Sequence, residues 1–162
     1  MELKFKKLVD TAVLPTKGSP DAAGFDLYAQ RVMGDTGGDD AVLDISELGG
    51  KIDIFGQGAR KIGTGVAAEI PPGYVGLIFA RSGLATKRGI CPANAVGVID
   101  SDYRGEIIVA LYNEFDDVGD IEYHERIAQL VIVPYLQCEA VEVDSLSETS
   151  RGAGGFGSTG TK

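Results

Sequence analysis

The sequence predicts an all-β domain, either a barrel or a sandwich. Between residues 3 and 145 the apolar runs are short and rich in β-branched residues, and glycine, proline, aspartate and asparagine separate them. The Pro71-Pro72-Gly73 triplet is the clearest of these turns. A chain of 162 residues, 44% of them hydrophobic, is large enough to form one domain with its own core.

The expected strands coincide with these apolar runs. In chain order they cover residues 8–14, 61–70, 74–80, 95–99, 107–112, 126–135 and 141–143. A helix is expected over residues 82–88, where Ser82 has the character of an N-cap and good helix formers follow it. A second short helix fits residues 44–48, and neither helix changes the fold class.

Two segments are expected to lie outside this β domain. Residues 34–58 are rich in glycine and aspartate and predict a long hairpin or excursion at the surface, inserted into a domain that spans residues 1–144. Residues 145–162 are small and polar, with too little side chain to bury, and predict a mobile C-terminal tail.

The charge of the chain limits its partners. A formal net charge of −9 means that the average surface repels nucleic acid, so any phosphate ligand needs a local basic site. The N-terminus is charged and lacks an apolar run, and no apolar stretch reaches 18 residues. We therefore expect a soluble, cytoplasmic protein that binds neither nucleic acid nor membrane.

The cysteines and the single histidine predict no metal centre. Cys91 and Cys138 are far apart, and His124 has no set of Cys or His ligands around it. We interpret both thiols as reduced and structural, and His124 as a turn residue.

The segment 97–107, GVIDSDYRGEI, carries the strongest chemical signal. Asp100 and Asp102 lie on one side of an extended backbone, and Asp100 directly follows an apolar strand. A carboxylate held in this way can act as a general base on water beside a bound ligand. The alternative is an ordinary acidic turn between two hairpin strands.

Two further segments suit a phosphorylated ligand. A predicted strand delivers Arg81 and Ser82 to the start of a turn or helix, and the tail interleaves Arg151, Phe156, Ser158 and Thr159 with glycines. The alternatives are a helix cap beside a solvated arginine, and a plain linker. The acids of residues 21–26 and the polar residues of 125–129 are structural if each segment is taken alone.

These segments occur together and in a fixed order, and in this the chain resembles the trimeric all-β dUTPase family. Five motifs spread over nearly the whole chain carry the resemblance: AAGFDLYA (22–29), RSGLA (81–85), GVIDSDYRGEI (97–107), ERIAQLVI (125–132) and RGAGGFGSTG (151–160). The resemblance implies a distorted, jelly-roll-like β-barrel with one short helix and a flexible glycine-rich arm. The chain departs from the family at Ala80, Ala93 and Tyr123-His124, where Pro, Gly and Pro-Gly are common.

The family hydrolyses dUTP to dUMP and pyrophosphate with Mg²⁺, which keeps uracil out of DNA and supplies dUMP for dTMP synthesis. The resemblance implies that Asp100 is the general base that activates the attacking water. Tyr103 would pack under the deoxyribose and exclude a 2′-hydroxyl. The uracil edge would be bound by Asn94 and by the backbone of the strand that precedes the base, namely Gly97, Val98 and Ile99.

The resemblance also implies the phosphate and metal contacts. Ser82 and Gly83 would contact the phosphates, with Arg81 and Gln129 beside them, and Asp26 would act through water bound to Mg²⁺. Arg126 and Arg104 would have structural or supporting roles. The arm would close over the base and hold the γ-phosphate end through Arg151, Phe156, Gly157, Ser158 and Thr159.

Family members are homotrimers with sites between subunits, so the resemblance implies a homotrimer with shared active sites. The length of segment 34–58, compared with compact family members, suggests that it binds a protein partner. Two alternatives stay open at this point. One is a dCTP deaminase of the same fold, and the other is a non-catalytic trimer that binds nucleotides and regulates another process.

Overall fold

The computed structural model describes residues 2–34 and 41–155. Within these ranges the chain forms fourteen β-strands, one α-helix and one 3₁₀ helix. The strands are β1 Lys4–Lys7, β2 Thr16–Lys17, β3 Gly24–Tyr28, β4 Arg31–Met33, β5 Val42–Asp44, β6 Lys51–Ile54, β7 Ala59–Gly63, β8 Val66–Glu69, β9 Tyr74–Ala80, β10 Ile90–Pro92, β11 Gly97–Ile99, β12 Ile108–Asn113, β13 Gly119–Glu122 and β14 Arg126–Pro134. The α-helix α1 covers Ser82–Arg88, and the 3₁₀ helix covers Ile45–Leu48.

Two antiparallel five-stranded sheets make up most of the domain. One has the order β10-β12-β7-β4-β5 and the other the order β11-β9-β14-β3-β2, while β1-β8 and β13-β6 form two-stranded sheets. Both large sheets contribute to one hydrophobic core, which includes Leu27 and Leu130 from one sheet and Ile62 and Leu111 from the other. The predicted all-β class is confirmed.

The longest apolar runs became strands where they were predicted. β9 follows the Pro71-Pro72-Gly73 turn, in which Gly73 has a φ of 82° and the Tyr74 amide donates to the Pro71 carbonyl. The α-helix is also confirmed, but Arg81 is its N-cap and Ser82 is its first helical residue. The prediction that Ser82 caps this helix is therefore wrong, because its hydroxyl lies one position too late to cap the first turn.

Three strand predictions are corrected by the structure. Residues 8–14 contain a turn and no strand, and the strand lies earlier, at Lys4–Lys7, where it pairs with β8. The run 61–70 is divided into two strands, because Gly65 adopts a φ of 69° between them. Residues 141–143 form no strand, and Val141 is 71% exposed.

The segment 34–58 is not a surface excursion over residues 42–54. Ile45 and Ile54 are completely buried, β5 pairs with β4, and β6 pairs with β13. The predicted short helix is present as the 3₁₀ helix, with Asp44 accepting a hydrogen bond from the Ser46 amide at its start. Because this part of the segment completes the core, its length gives no support to a partner-binding role, and residues 35–40 lie outside the described part of the chain.

A buried glutamine links distant parts of the chain. Gln30 is completely buried, and the two hydrogens of its side-chain amide are shared among three acceptors within hydrogen-bond distance, Thr11 Oγ1, Asp44 Oδ2 and Tyr123 Oη. Its carbonyl oxygen lies 3.0 Å from His124 Nε2. His124 is indeed a turn residue, with a φ of 61°, and its ring stacks on Tyr123.

The two thiols are free, and they differ in their surroundings. Cys91 is partly buried, and burial together with the neighbouring Glu114 carboxylate raises the pKa of its thiol. Cys138 is exposed and therefore does not contribute to the core. In the part of the chain that the structure describes, no helix is both long and apolar enough to cross a membrane.

Candidate active site

Three of the five motifs converge on one side of the sheet β11-β9-β14-β3-β2. The strand register places Asp26 of β3 directly opposite Gln129 of β14, and Gln129 directly opposite Phe79 of β9. Since α1 begins just after β9, Arg81 and Ser82 are delivered to the same place. Antiparallel pairing thus brings together residues that are distant in sequence. Asp26 and Gln129, for example, are 103 positions apart.

These residues line a polar cleft of about 410 Å³. Its walls come from β3, from α1 with the residue before it, and from the start of β14. The lining residues are Asp26, Arg81, Ser82, Gly83, Leu84, Lys87, Arg88, Glu125 and Gln129.

Asp26 holds two arginines at this cleft. Its Oδ1 accepts a hydrogen bond from Arg81 Nε at 3.0 Å, and its Oδ2 accepts one from Arg126 Nη1 at 3.2 Å. The Asp26 side chain is only 14% exposed. Arg126 therefore supports the carboxylate from outside, which agrees with the supporting role expected for it.

Gln129 and Ser82 differ in how they are held. The Gln129 side-chain amide donates to the Ala80 carbonyl at 2.9 Å, and a Cβ at Gly24 would come within 3.0 Å of Gln129 Oε1. Because Gly24 has no side chain, the Gln129 amide can occupy this space. Ser82 is exposed at the start of α1, and its hydroxyl makes no hydrogen bond within the described ranges 2–34 and 41–155.

Asp100 lies at the opposite end of β9 from this cleft. β11 pairs with β9 so that Ile99 is opposite Gly76, and Asp100 follows Ile99 as an exposed residue. The Tyr103 amide donates to the Asp100 carbonyl at 3.1 Å, which closes the turn. A small cavity of about 150 Å³ lies here, lined in part by Asp100, Tyr103 and Glu106.

Tyr103 is fixed against the same turn. Its hydroxyl donates to the Glu106 carbonyl at 2.8 Å, while 41% of the residue remains exposed. A Cβ at Gly105 would lie 2.4 Å from the Tyr103 hydroxyl, so the close approach of this ring requires glycine there. Arg104 points to the turn as well, donating to the carbonyls of Ser101 and Tyr103.

Asn94 lies in the turn between β10 and β11. The next residue, Ala95, has a φ of 59°, and the Val96 amide donates to the Asn94 carbonyl at 2.6 Å. Gly97 is buried, Val98 is 60% exposed, and Ile99 is half-buried, so β11 leads from this turn to Asp100. The turn and Asp100 thus belong to one continuous surface segment.

One chain does not bring the Asp100 turn and the polar cleft together. Gly76, opposite Ile99, and Arg81 are five residues apart along β9 and its continuation, which corresponds to roughly 17 Å for extended backbone. The predicted site residues therefore form two groups in a single chain, the cleft group and the Asp100 group.

The predicted arm residues fall partly beyond what the structure describes. Arg151 is exposed and donates from Nε to the Gly154 carbonyl at 3.0 Å. Phe156, Gly157, Ser158 and Thr159 lie outside the described residues. Residues 145–155 contain no strand and no helix.

The cleft also contains residues that the sequence did not predict to be there. Lys87 and Arg88 line it from α1, and Glu125 lines it from the turn before β14. Lys87 follows Gly83 by four positions, so helical spacing was the signal that could have placed it on the cleft face. Arg88 donates to Glu125 Oε1 and to the Asp120 carbonyl, contacts that lie 37 and 32 residues away in sequence.

The cleft of this all-β fold carries guanidinium, ammonium and hydroxyl groups, which are the donor types that suit phosphate oxygens. The model of one family, described as dUTPase, matches residues 37–160. The chain belongs to the dUTPase family.

Individual relatives agree with this assignment over nearly the full length. The chain is 48% identical over 161 residues to the deoxyuridine 5′-triphosphate nucleotidohydrolase of Nautilia profundicola, with 99% of each chain covered. It is 43% identical over 157 residues to the enzyme of the same name from Escherichia phage T5, covering 96% of this chain and 97% of the other. The chain is therefore a hydrolase that acts on dUTP.

Solved structures show the same fold. The dUTPase of Staphylococcus bacteriophage 80alpha, solved with dUpNHpp, has a TM-score of 0.79 to this chain at 28% identity, with 98% of both chains covered.

Proposed function

We propose that this chain hydrolyses dUTP to dUMP and pyrophosphate with the help of Mg²⁺, and so keeps uracil out of DNA and supplies dUMP for dTMP synthesis. The observation that carries the proposal is the convergence on one cleft of Arg81, Ser82 and Gln129 beside the Asp26 carboxylate. Guanidinium, hydroxyl and amide groups are the donors that bind phosphate oxygens, and all three types are present there.

The phosphate chain is proposed to lie in this cleft. Ser82 and Gly83 face it from the start of α1, and a Cβ at Gly83 would meet no atom of the described residues within 4 Å. The space above Gly83 is thus open to a ligand. Arg81 and Gln129 are held on either side by hydrogen bonds and need little reorganisation to receive one.

Asp26 is the proposed contact to Mg²⁺, acting through metal-bound water. Mg²⁺ prefers oxygen ligands, keeps several waters and commonly bridges substrate phosphates with one or two carboxylates. Each Asp26 oxygen accepts one arginine hydrogen bond, so each retains a lone pair for a water molecule. The ion would neutralise charge on the phosphates.

Asp100 is the proposed general base, and the nucleoside is proposed to bind beside it. An exposed carboxylate in a turn closed by the Tyr103 amide can accept a proton from water that attacks the α-phosphorus. The Tyr103 ring offers a surface for the deoxyribose, and Asn94 with the backbone of Gly97–Ile99 offers hydrogen bonds to the uracil.

A homotrimer with shared sites is proposed because one chain separates its two groups of site residues. The Asp100 group and the cleft group lie roughly 17 Å apart along β9, beyond the reach of a water molecule bound by one base. Pairing the Asp100 group of one subunit with the cleft group of another would complete the site. The arm from Arg151 to Thr159 is proposed to close it.

Deamination of dCTP is disfavoured by the state of the nearest glutamate. Glu106 lines the small cavity beside Asp100, but both its carboxylate oxygens accept hydrogen bonds from Arg31. A non-catalytic regulatory trimer is disfavoured because the cleft and Asp100 keep the chemical groups that hydrolysis needs.

The deciding experiment is pyrophosphate release from dUTP, UTP, dTTP and dCTP with Mg²⁺, using the full chain and a chain truncated before Arg151. We expect turnover of dUTP alone and its loss on truncation. Turnover of UTP would contradict the role of Tyr103, ammonia release from dCTP would contradict the reaction, and full activity after truncation would contradict the role of the arm.

A further inference from the structure

The cations at the cleft are not equivalent. Arg81 and Arg126 both bind the Asp26 carboxylate, and Arg88 binds the Glu125 carboxylate at 2.5 Å. Each of these arginines is therefore paired with a carboxylate of the same chain, although Arg81 and Arg126 share the one carboxylate of Asp26. The cleft is lined by three cations and two carboxylates, which leaves an excess of one positive charge.

Lys87 is the lining cation that lacks a carboxylate partner among the described residues. It lines the cleft, it is exposed, and it forms no ion pair with any residue in the ranges 2–34 and 41–155. Its ammonium group is thus available to a ligand, whereas a ligand that binds the arginines must share them with carboxylates.

The helix directs the Lys87 side chain toward the phosphate position. Gly83 and Lys87 are four residues apart in α1 and share one face, while Leu84 is buried against the core. Side chains in a helix lean toward its N-terminus, so the Lys87 stem extends back over the turn that contains Gly83. Within residues 2–34 and 41–155, no atom lies within 4 Å of the position that a Cβ at Gly83 would take, so these residues leave the space over Gly83 open.

We propose that Lys87 binds the phosphates that leave as pyrophosphate and supplies the cleft with a positive charge that no carboxylate of the described residues pairs. This inference rests on the proposed function, in which the cleft binds the triphosphate of dUTP. In a chain with a net charge of −9, one uncompensated ammonium at the cleft makes a large difference to the local potential that a polyphosphate meets.

The test compares the wild-type enzyme with Lys87→Gln, Lys87→Arg and Lys61→Gln. Lys61→Gln is the matched control, because Lys61 is an exposed residue of β7 and does not line the cleft. For each enzyme, kcat and KM for dUTP are measured together with inhibition by magnesium pyrophosphate and by dUMP.

We expect Lys87→Gln to raise the KM for dUTP and the inhibition constant of pyrophosphate by about 10-fold each, as for the loss of one charge-assisted contact. Inhibition by dUMP should stay unchanged, because dUMP lacks the phosphates that Lys87 contacts. The kcat should also change little, since the contact is present in both the bound substrate and the transition state. Lys87→Arg should stay within about 3-fold of wild type because it keeps the charge, and Lys61→Gln should match wild type.

Several outcomes would overturn the inference. They are an unchanged pyrophosphate inhibition in Lys87→Gln, an equal loss of dUMP inhibition, or an equal effect of Lys61→Gln. A wild-type enzyme that releases no pyrophosphate from dUTP would instead overturn the proposed function, so the two failures are distinguishable.

Discussion

Arg31 and Glu106, 75 residues apart in sequence, form a bidentate ion pair. The pair joins β4 to the end of the turn that carries Asp100 and Tyr103. Arg31 Nε lies 3.0 and 3.1 Å from the two carboxylate oxygens, and the Gly65 amide donates to one of them at 2.6 Å. Glu106 is only 9% exposed. The pair therefore ties the end of the Asp100 turn, which follows β11, to the other large sheet, β10-β12-β7-β4-β5.

Replacing Glu106 with Gln should lower the free energy of unfolding by about 3 kcal/mol, because it leaves the Arg31 guanidinium without its balancing charge. Urea denaturation measures this. The exposed pair of Lys4 and Glu69 provides the control, and Glu69→Gln should leave the urea midpoint unchanged. Equal losses in the two variants would show that burial does not distinguish these pairs.

Asp100→Asn should abolish dUTP turnover and leave binding of dUpNHpp largely intact, since the amide keeps the shape of the side chain but cannot accept the proton from water. Pyrophosphate release and calorimetric titration measure the two properties. Asp102→Asn is the matched control, because Asp102 lies two residues further on and does not line the small cavity. A near-wild-type rate in Asp100→Asn would refute its role as the base.

Gln30→Leu should destabilise the protein by roughly 2–4 kcal/mol, because it leaves Asp44, Tyr123 and His124 without a buried hydrogen-bond partner. Thermal and urea unfolding measure the change. Gln137→Leu makes the same substitution at an exposed position and should have little effect. If Gln30→Leu were as stable as wild type, the buried network would carry no net stability.

The stability of the protein should fall at acidic pH in a way that depends on Asp44. Burial alone would raise the pKa of Asp44, but hydrogen bonds from the Ser46 hydroxyl, the Ser46 amide and Gln30, with the charge of His124, lower it below its ordinary value of 3.8. Its stabilising contribution is thus complete above pH 3.8 and is lost as the pH falls through the lower pKa of the folded state.

Ser46→Ala tests this contribution, since it removes the hydroxyl that donates to Asp44 Oδ1. The gap in unfolding free energy between wild type and Ser46→Ala should therefore shrink as the pH falls below about 4. Ser147→Ala, at an exposed position, is the control. If the difference in unfolding free energy stayed constant with pH, the effect of Ser46 would not depend on the ionisation of Asp44, and the prediction would be wrong.

The sequence predicted the elements whose signal is local. β9, β12 and β14 follow apolar runs long enough to be recognised, and α1 follows from its composition. β1 was missed because Phe5 is the only apolar residue within its four positions, so its apolar content is lower than that of the turn at residues 8–14. The alternation of apolar and polar residues within β6 is visible in the sequence. The glycine-rich residues around it, however, favoured a surface segment over a core strand.

The parts that could not be predicted depend on pairing between distant residues. Nothing near Gln30 in sequence indicates that His124, 94 residues later, will lie beside it. Likewise the resemblance named the site residues, but only the register of β9 with β11 and β14 reveals that they fall into two groups. Local patterns specify elements, and long-range pairing decides which side chains meet.

The spacing of those two groups along β9 has a consequence for inheritance as well as for catalysis. In the proposed trimer a variant at Asp100 damages one half of every composite site, and a variant at Arg81 damages the other half. Two inactive forms expressed in one cell would then assemble some sites in which both halves are intact. Two alleles that each abolish activity should complement one another when they affect different halves of the composite site. Two alleles that affect the same half should not.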